Sequence, residues 1–291
     1  HNLWIDDEGF AFIEHGYGDA INIVDLSDPL NPVMAGSFGN FASNTHDIYT
    51  KNGIAYVSNG WSAEYIIYDI SDFDNIQPLA TISEGVNGYA HNAWLSESGN
   101  HLITTEETAG QTVKIWDIED LNNISLAGEY LAENDLAHNV HVKNDQLFIS
   151  HYTTGIKIVD LFNPEKPVEV AAYDTYSNND SGGFYGCWGA YPFADNNYVY
   201  ASDMQYGLFI LEYDPIYAGW SNGYIYNGEG NLVSNLTLRS LLNDRLFYSD
   251  ASGYYDFGFS EGIQDFEFSI NNVLDTLSIT FSAHQEIEQD I

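Results

Sequence analysis

The sequence predicts an all-β protein, a β-propeller followed by a small C-terminal β-sandwich. Three observations predict it. A four-strand pattern recurs at a nearly constant interval over the first 215 residues. No unit of that pattern carries the 3.6-residue apolar period of a helix. After Asp214-Pro215 the pattern stops, and short strands split by turn residues take over.

Each unit opens with a short strand that starts at a polar pair: His1-Asn2, His46-Asp47, His91-Asn92 and His138-Asn139. The steps between the histidines are 45, 45 and 47 residues. A second strand follows, over Phe10 to Ile13, Ile54 to Ser58, His101 to Thr105, Leu147 to Ser150 and Tyr198 to Ser202. The third strand ends in a hydrophobe, an acid and a hydrophobe: Val24-Asp25-Leu26, Tyr68-Asp69-Ile70, Trp116-Asp117-Ile118 and Val159-Asp160-Leu161. The acid is expected to accept backbone N–H groups two residues on, as an Asx-turn into strand four. The fourth strand closes the unit at Val33 to Ser37, Pro78 to Ile82, Ser125 to Tyr130 and Val168 to Tyr173. Four strands in about 45 residues is the length of a propeller blade. A fifth unit has Cys187-Trp188 in place of the His-Asn pair and Leu211-Glu212-Tyr213 in place of the acid triplet, and it lacks a fourth strand of its own.

Several of these runs resemble the choice-of-anchor B family of bacterial surface proteins, whose propeller blades carry LVIVD repeats. They are Tyr89-Ala90-His91-Asn92-Ala93-Trp94-Leu95, Ile156-Lys157-Ile158-Val159-Asp160-Leu161 and Gly183-Phe184-Tyr185-Gly186-Cys187-Trp188-Gly189-Ala190-Tyr191-Pro192-Phe193. Gly207-Leu208-Phe209-Ile210-Leu211 resembles the family's last blade. The resemblance covers residues 1 to about 213 and implies a seven-bladed ring in which His1 opens the third blade. On that alignment the expectation is that two blades, roughly 90 residues, precede His1 in the native protein. The resemblance brings no catalytic residues with it.

The propeller is assigned to residues 1–215 and the second domain to 216–291. Within the latter, Gly230-Asn231-Leu232-Val233-Ser234-Asn235-Leu236-Thr237-Leu238 and Ser249-Asp250-Ala251-Ser252-Gly253-Tyr254-Tyr255-Asp256-Phe257 look like a carboxypeptidase-regulatory-type β-sandwich. Modules of that type imply a stalk or spacer.

Charge narrows the function classes. With 43 acidic and 7 basic residues the formal net charge is −36. Such a surface repels nucleic-acid backbones and anionic membranes. No run of 18 apolar residues is present, so no direct membrane insertion by a helix is expected. The balance suits a salty exterior, and carboxylates suit calcium. Acidic turns at Asp72, Asp74 and Asn75, and at Asn179, Asp180 and Ser181, offer oxygen ligands for it. The single cysteine, Cys187, has no internal partner and is expected to be buried and inert.

One face collects the chemistry-bearing side chains. Strands one and two of a blade are antiparallel, so the start of one and the end of the other share a rim. His46, His91, His138, Glu106, His151 and Asp203, with Glu14, Asn59 and Cys187, are therefore expected at the mouth of the central channel. They could hold a transition metal there, or calcium through the acids alone. The alternative is that a histidine recurring in each blade only hydrogen-bonds the neighbouring blade's backbone. His141 follows His138 by three residues and so faces the other way; His15 and His101 stand alone. Trp61, Tyr65, Trp94 and Trp188 could form a sugar-stacking platform or pack between blades.

No Gly-x-Ser-x-Gly, His-Glu-x-x-His or phosphate-binding glycine loop occurs. The leading expectation is accordingly a secreted or cell-surface, non-catalytic binding or scaffold protein with a protein or glycan partner. The alternative is a metal-dependent hydrolase or lyase that uses the His/acid cluster at the channel mouth.

Overall fold

The computed structural model describes residues 2–14, 21–39, 45–132, 136–178, 182–270 and 273–291, and in these it is all-β. The five repeat units form five separate sheets, each in plain sequential strand order, the first four with four strands and the fifth with three. That is the blade order of a β-propeller. The innermost strands are Leu3–Ile5, Asp47–Lys51, Ala90–Leu95, Asn139–Lys143 and Cys187–Tyr191. They touch one another in that order around the channel. Among the described residues no comparable contact joins the fifth inner strand to the first.

The core lies between blades. Phe12, Ile21 and Ile23 of blade one pack with Ile48, Ala55, Val57 and Ile66 of blade two. Tyr49, Tyr65 and Ile67 of blade two pack with Ala93, Leu102 and Trp116 of blade three. Strand alternation explains the assignment, because each strand sends every second side chain to one flanking blade.

The acids behave alike in four blades. Asp25, Asp69, Asp117 and Asp160 each accept, through Oδ1, the backbone N–H two residues on, at 2.7–3.0 Å. A second Asx-turn follows at Asp28, Asp72, Asp120 and Asn163. One oxygen of the Asp72 carboxylate is thus used by the Asp74 amide at 3.0 Å. The turn at Asn179, Asp180 and Ser181 lies outside the described residues, as do His1 and His15.

By its contacts the chain divides into two compact units, 1–157 with 172–213, and 158–171 with 214–291. The sequence places this division at residue 215, and three contacts of the 158–171 segment account for its grouping. Asp160 Oδ2 accepts the Ala218 N–H at 2.8 Å, Phe162 stacks on His284 with centroids 4.0 Å apart, and Lys166 pairs with Asp256 at 2.7 Å. In the second unit a three-stranded and a four-stranded sheet share a phenylalanine-rich core of Phe257, Phe259, Phe266 and Phe281, with Leu238 and Ile279.

Polar bonds tie the inner strands of successive blades. The Asp47 carboxylate accepts the side-chain amides of Asn2, from blade one, and Asn92, from blade three. Asn92 Oδ1 in turn accepts the Val140 N–H of blade four at 2.9 Å. Asn92→Ala leaves Asp47 and the Val140 amide short of partners in a buried place, and is expected to lower unfolding free energy by about 2–4 kcal/mol in urea denaturation. A loss under about 0.5 kcal/mol would show that apolar contacts alone hold the blades together.

Candidate functional site

Three imidazoles stack in a column where the inner strands begin. The ring centroids of His46 and His91 are 4.3 Å apart, and those of His91 and His138 are also 4.3 Å apart. The column follows from the repeat, since the same position opens strand one in consecutive blades. Burial leaves all three uncharged at neutral pH. Desolvation, helped by the neighbouring His138, pushes His46 down to about 4; it also pushes His138 down to about 4 and His91 well below its ordinary value.

The carboxylate that faces the column is Glu107. Its Oε2 lies 3.7 Å from His91 Nε2 and its Oε1 3.8 Å from His138 Nε2. The three ligand atoms fall within 4.8 Å of one another. Glu106, the residue expected there, turns the other way. It forms a buried ion pair with Lys114 and accepts the backbone N–H groups of Asn87 and Gly88. The reason is strand parity. Thr105 faces blade four and bonds the His138 carbonyl at 2.7 Å, so Glu106 points to the opposite side, while Glu107 stands just past the strand end, where the register shifts.

The other expected residues part company. His151 is buried beside Thr154, with Nδ1 3.0 Å from Thr154 Oγ1, and desolvation pushes it down to about 4. Asp203 accepts the Thr175 hydroxyl at 2.9 Å and the N–H groups of Gln205 and Tyr206 at 2.8 Å, so it shapes a turn. Cys187 is fully buried, and desolvation followed by the Asp203 charge pushes its thiol up to about 12. The aromatics form no common platform: Tyr65 is buried and donates its hydroxyl to the Thr105 carbonyl at 2.6 Å, and Trp94 sits three residues along the inner strand from His91.

Two tyrosines complete the cluster. The Tyr89 hydroxyl is 2.8 Å from His46 Nδ1. The Tyr152 hydroxyl donates to Glu107 Oε1. Tyr152 occupies a left-handed backbone position, φ 41°. The matching position in blade two is Gly60, φ 48°, and each makes the bridge to the next inner strand, Gly60 to Ala90 and Tyr152 to Cys187. A tyrosine there carries about 1 kcal/mol of backbone strain that glycine avoids. Gly186, φ 89°, lets the next strand pass close: a Cβ on it would meet the Tyr152 carbonyl oxygen at 2.4 Å. Nothing in the residue types alone signals Tyr152; its backbone angle and its reach to Glu107 do.

The donor set fits a cation. His138 Nδ1 lies 2.5 Å from the Trp188 carbonyl, which can only accept, so the proton of this neutral ring sits on Nδ1. Its Nε2 lone pair then faces the Glu107 carboxylate with no proton between them. His91 Nδ1, also buried, makes no hydrogen bond of normal geometry. The His138 lone pair and the Glu107 carboxylate face each other, with His91 Nε2 3.7 Å from the carboxylate, an arrangement a divalent ion relieves, and the backbone carbonyl that fixes the His138 tautomer is the usual outer support of a metal-bound imidazole. Donors around zinc at about 2.1 Å stand about 3.4 Å apart in a tetrahedron, so a set spread over as much as 4.8 Å must draw together by about an ångström to hold one.

Neither a protein-family model nor a curated protein sequence matches the chain. Solved structures do. A Bacteroides uniformis protein provisionally named 6-phosphogluconolactonase matches with a TM-score of 0.57 at 10% identity, over 97% of this chain and 85% of its own. A Lactobacillus plantarum protein matches at 0.59 and 9% identity, over 97% and 85%. The periplasmic gluconolactonase of Pseudomonas aeruginosa matches at 0.58 and 8% identity, over 88% and 72%. At such identities the likeness carries the fold, a β-propeller. The expectation of a non-catalytic scaffold that is not an enzyme is corrected by the same comparison, in which two of these propellers carry lactonase names. No helix among the described residues is long and apolar enough to cross a membrane.

Glu14 provides a separate readout of this rim. Desolvation, then the Asp47 charge, raises its carboxyl from 4.5 to about 8. The folded state therefore holds a proton that the unfolded chain has released, so the associated stability is full below about 4.5 and is lost as pH rises through about 8. The depressed imidazoles act oppositely, but only between about 6.5 and 4. Between pH 7 and 9, Glu14→Gln should therefore lose less stability than the parent, by about 1–2 kcal/mol in thermal melts. Parallel pH profiles would contradict the placement of Glu14.

Proposed function

We propose that this protein is a metal-dependent hydrolase acting on a cyclic or simple ester, with His91, Glu107 and His138 as the centre. The single observation that carries the reading is the convergence of two uncharged imidazoles and one carboxylate within 4.8 Å at the channel mouth. Two histidines and a glutamate leave a position for water or substrate in known catalytic sites of this donor type. A bound ion would supply Lewis acidity and a more acidic water.

The chain's own groups supply the rest. Desolvation raises the Glu107 carboxyl, partly offset by the Tyr152 hydrogen bond, which makes it a better proton acceptor than an exposed glutamate. Tyr152 donates to Oε1 and so orients the Glu107 carboxylate that would hold the ion with His91 and His138. Tyr89 fixes the His46 ring at the edge of the column. Exposed Trp61, Phe184 and Trp188 around the cluster offer apolar cover for a substrate ring.

The charge selects among substrates. A net −36 and a cluster of imidazoles, phenols and a carboxylate disfavour a phosphorylated sugar lactone and favour an uncharged one. Calcium is the other ion that the acidic composition favours. An extracellular or cell-surface location is supported by that acidity and by the choice-of-anchor B motifs; the carboxypeptidase-regulatory-like turns support a spacer role for residues 216–291.

The test is metal content after dialysis, together with pH-stat hydrolysis of an aldonolactone. Near-stoichiometric zinc or another transition metal, and loss of about 100-fold or more in rate for Glu107→Gln and for His138→Ala, are expected. Undiminished hydrolysis by both variants, or no hydrolysis of lactones and esters by metal-loaded protein, would overturn the reading.

A further inference from the structure

The repeat builds a second set of side chains further along the same inner strands. Three residues after each strand-opening position stand Trp4, Tyr49, Trp94, His141 and, counting from Trp188, Tyr191. With Phe193 these line a cavity of about 960 Å3. The rings form a continuous aromatic wall. Trp4 and Tyr49 are 5.0 Å apart, Tyr49 and Trp94 4.2 Å, Trp94 and His141 4.7 Å, and Tyr191 and Phe193 5.5 Å. Trp94 and Phe193 stack at 5.5 Å with 22° between planes. None of these residues belongs to the histidine column.

We propose that this cavity binds an organic cation of the quaternary ammonium class. Aromatic faces attract a cation through the ring quadrupole, and a trimethylammonium group needs no hydrogen-bond acceptors. The fixed charges on the cavity agree: Asp6, Asp7 and Glu8 line it, against Lys51 as its cationic residue. Desolvation pushes His141 down to about 4, so its ring is an uncharged member of the wall. The wall is also set in advance. The Trp4 indole N–H donates to Thr50 Oγ1 at 2.9 Å, which fixes that ring. The net charge of −36 concentrates cations near the entrance.

The test compares choline with its uncharged isostere 3,3-dimethylbutan-1-ol, by calorimetry and tryptophan fluorescence on the full chain at fixed ionic strength. Choline should bind saturably and about tenfold tighter than the isostere. Trp94→Leu should weaken it about fivefold or more, and the exposed pair Asp7→Asn with Glu8→Gln about twofold. The isostere comparison uses the unaltered protein, so it stands even where Trp94→Leu fails to fold. Equal affinity for both compounds would reduce the cavity to a plain apolar pocket. Absence of saturable choline binding, or choline binding untouched by a folded Trp94→Leu protein, would also overturn the proposal.

Discussion

The geometry of the ring depends on the hydrogen bonds that pass from one inner strand to the next. Sheets packed face to face by apolar side chains can slide, because dispersion contacts are many and weak. A carboxylate that takes one amide from each side cannot. Asp47 holds Asn2 and Asn92, Asn92 holds the Val140 amide, and Ser150 Oγ lies 3.1 Å from the Trp188 carbonyl. These bonds fix where each strand begins, and the histidines occupy that starting position. The stacking of the column at 4.3 Å is thus a by-product of the inter-blade bonds.

The two readings of the recurring histidine prove compatible in one residue. His138 bonds the next blade's backbone through Nδ1, as a purely structural histidine would. That bond is also what leaves Nε2 bare and aimed at Glu107. The position that repeats for architectural reasons becomes chemically distinctive only where a carboxylate is set against it. In blade three that carboxylate is Glu107; the equivalent position holds Gly60 in blade two and Tyr152 in blade four. Burial supplies the rest, since a desolvated imidazole keeps its lone pair at neutral pH.

Much of the fold was legible because its signals are local and repeated. The 45-residue interval, the acid triplets and the Asx-turns each depend on residues within one blade, and the structure repeats them in order. The site was legible only in outline. His46, His91 and His138 come together as the interval requires, but choosing Glu106 over Glu107 needs the parity at a strand end, which a slip of one residue inverts. His151 and Asp203 were drawn in by position and turn out to serve turns and buried packing. Tyr152 gave no sequence signal, because its role arises from a left-handed backbone and a hydroxyl that reaches a neighbouring blade. The grouping of 158–171 with the C-terminal unit was equally hidden, resting on partners of Asp160 and Lys166 more than 50 residues away.

The origin of the cluster's members has an assembly consequence. His46 comes from blade two, His91 and Glu107 from blade three, and His138 and Tyr152 from blade four, while the His138 tautomer is set by a carbonyl of blade five. No hairpin or single blade contains two imidazoles of the column. An excised blade three therefore holds the His91–Glu107 pair without the second imidazole, His138, or the Tyr152 hydroxyl. The smallest fragment that could display the whole column with the His138 tautomer fixed is a run of four consecutive blades, two to five.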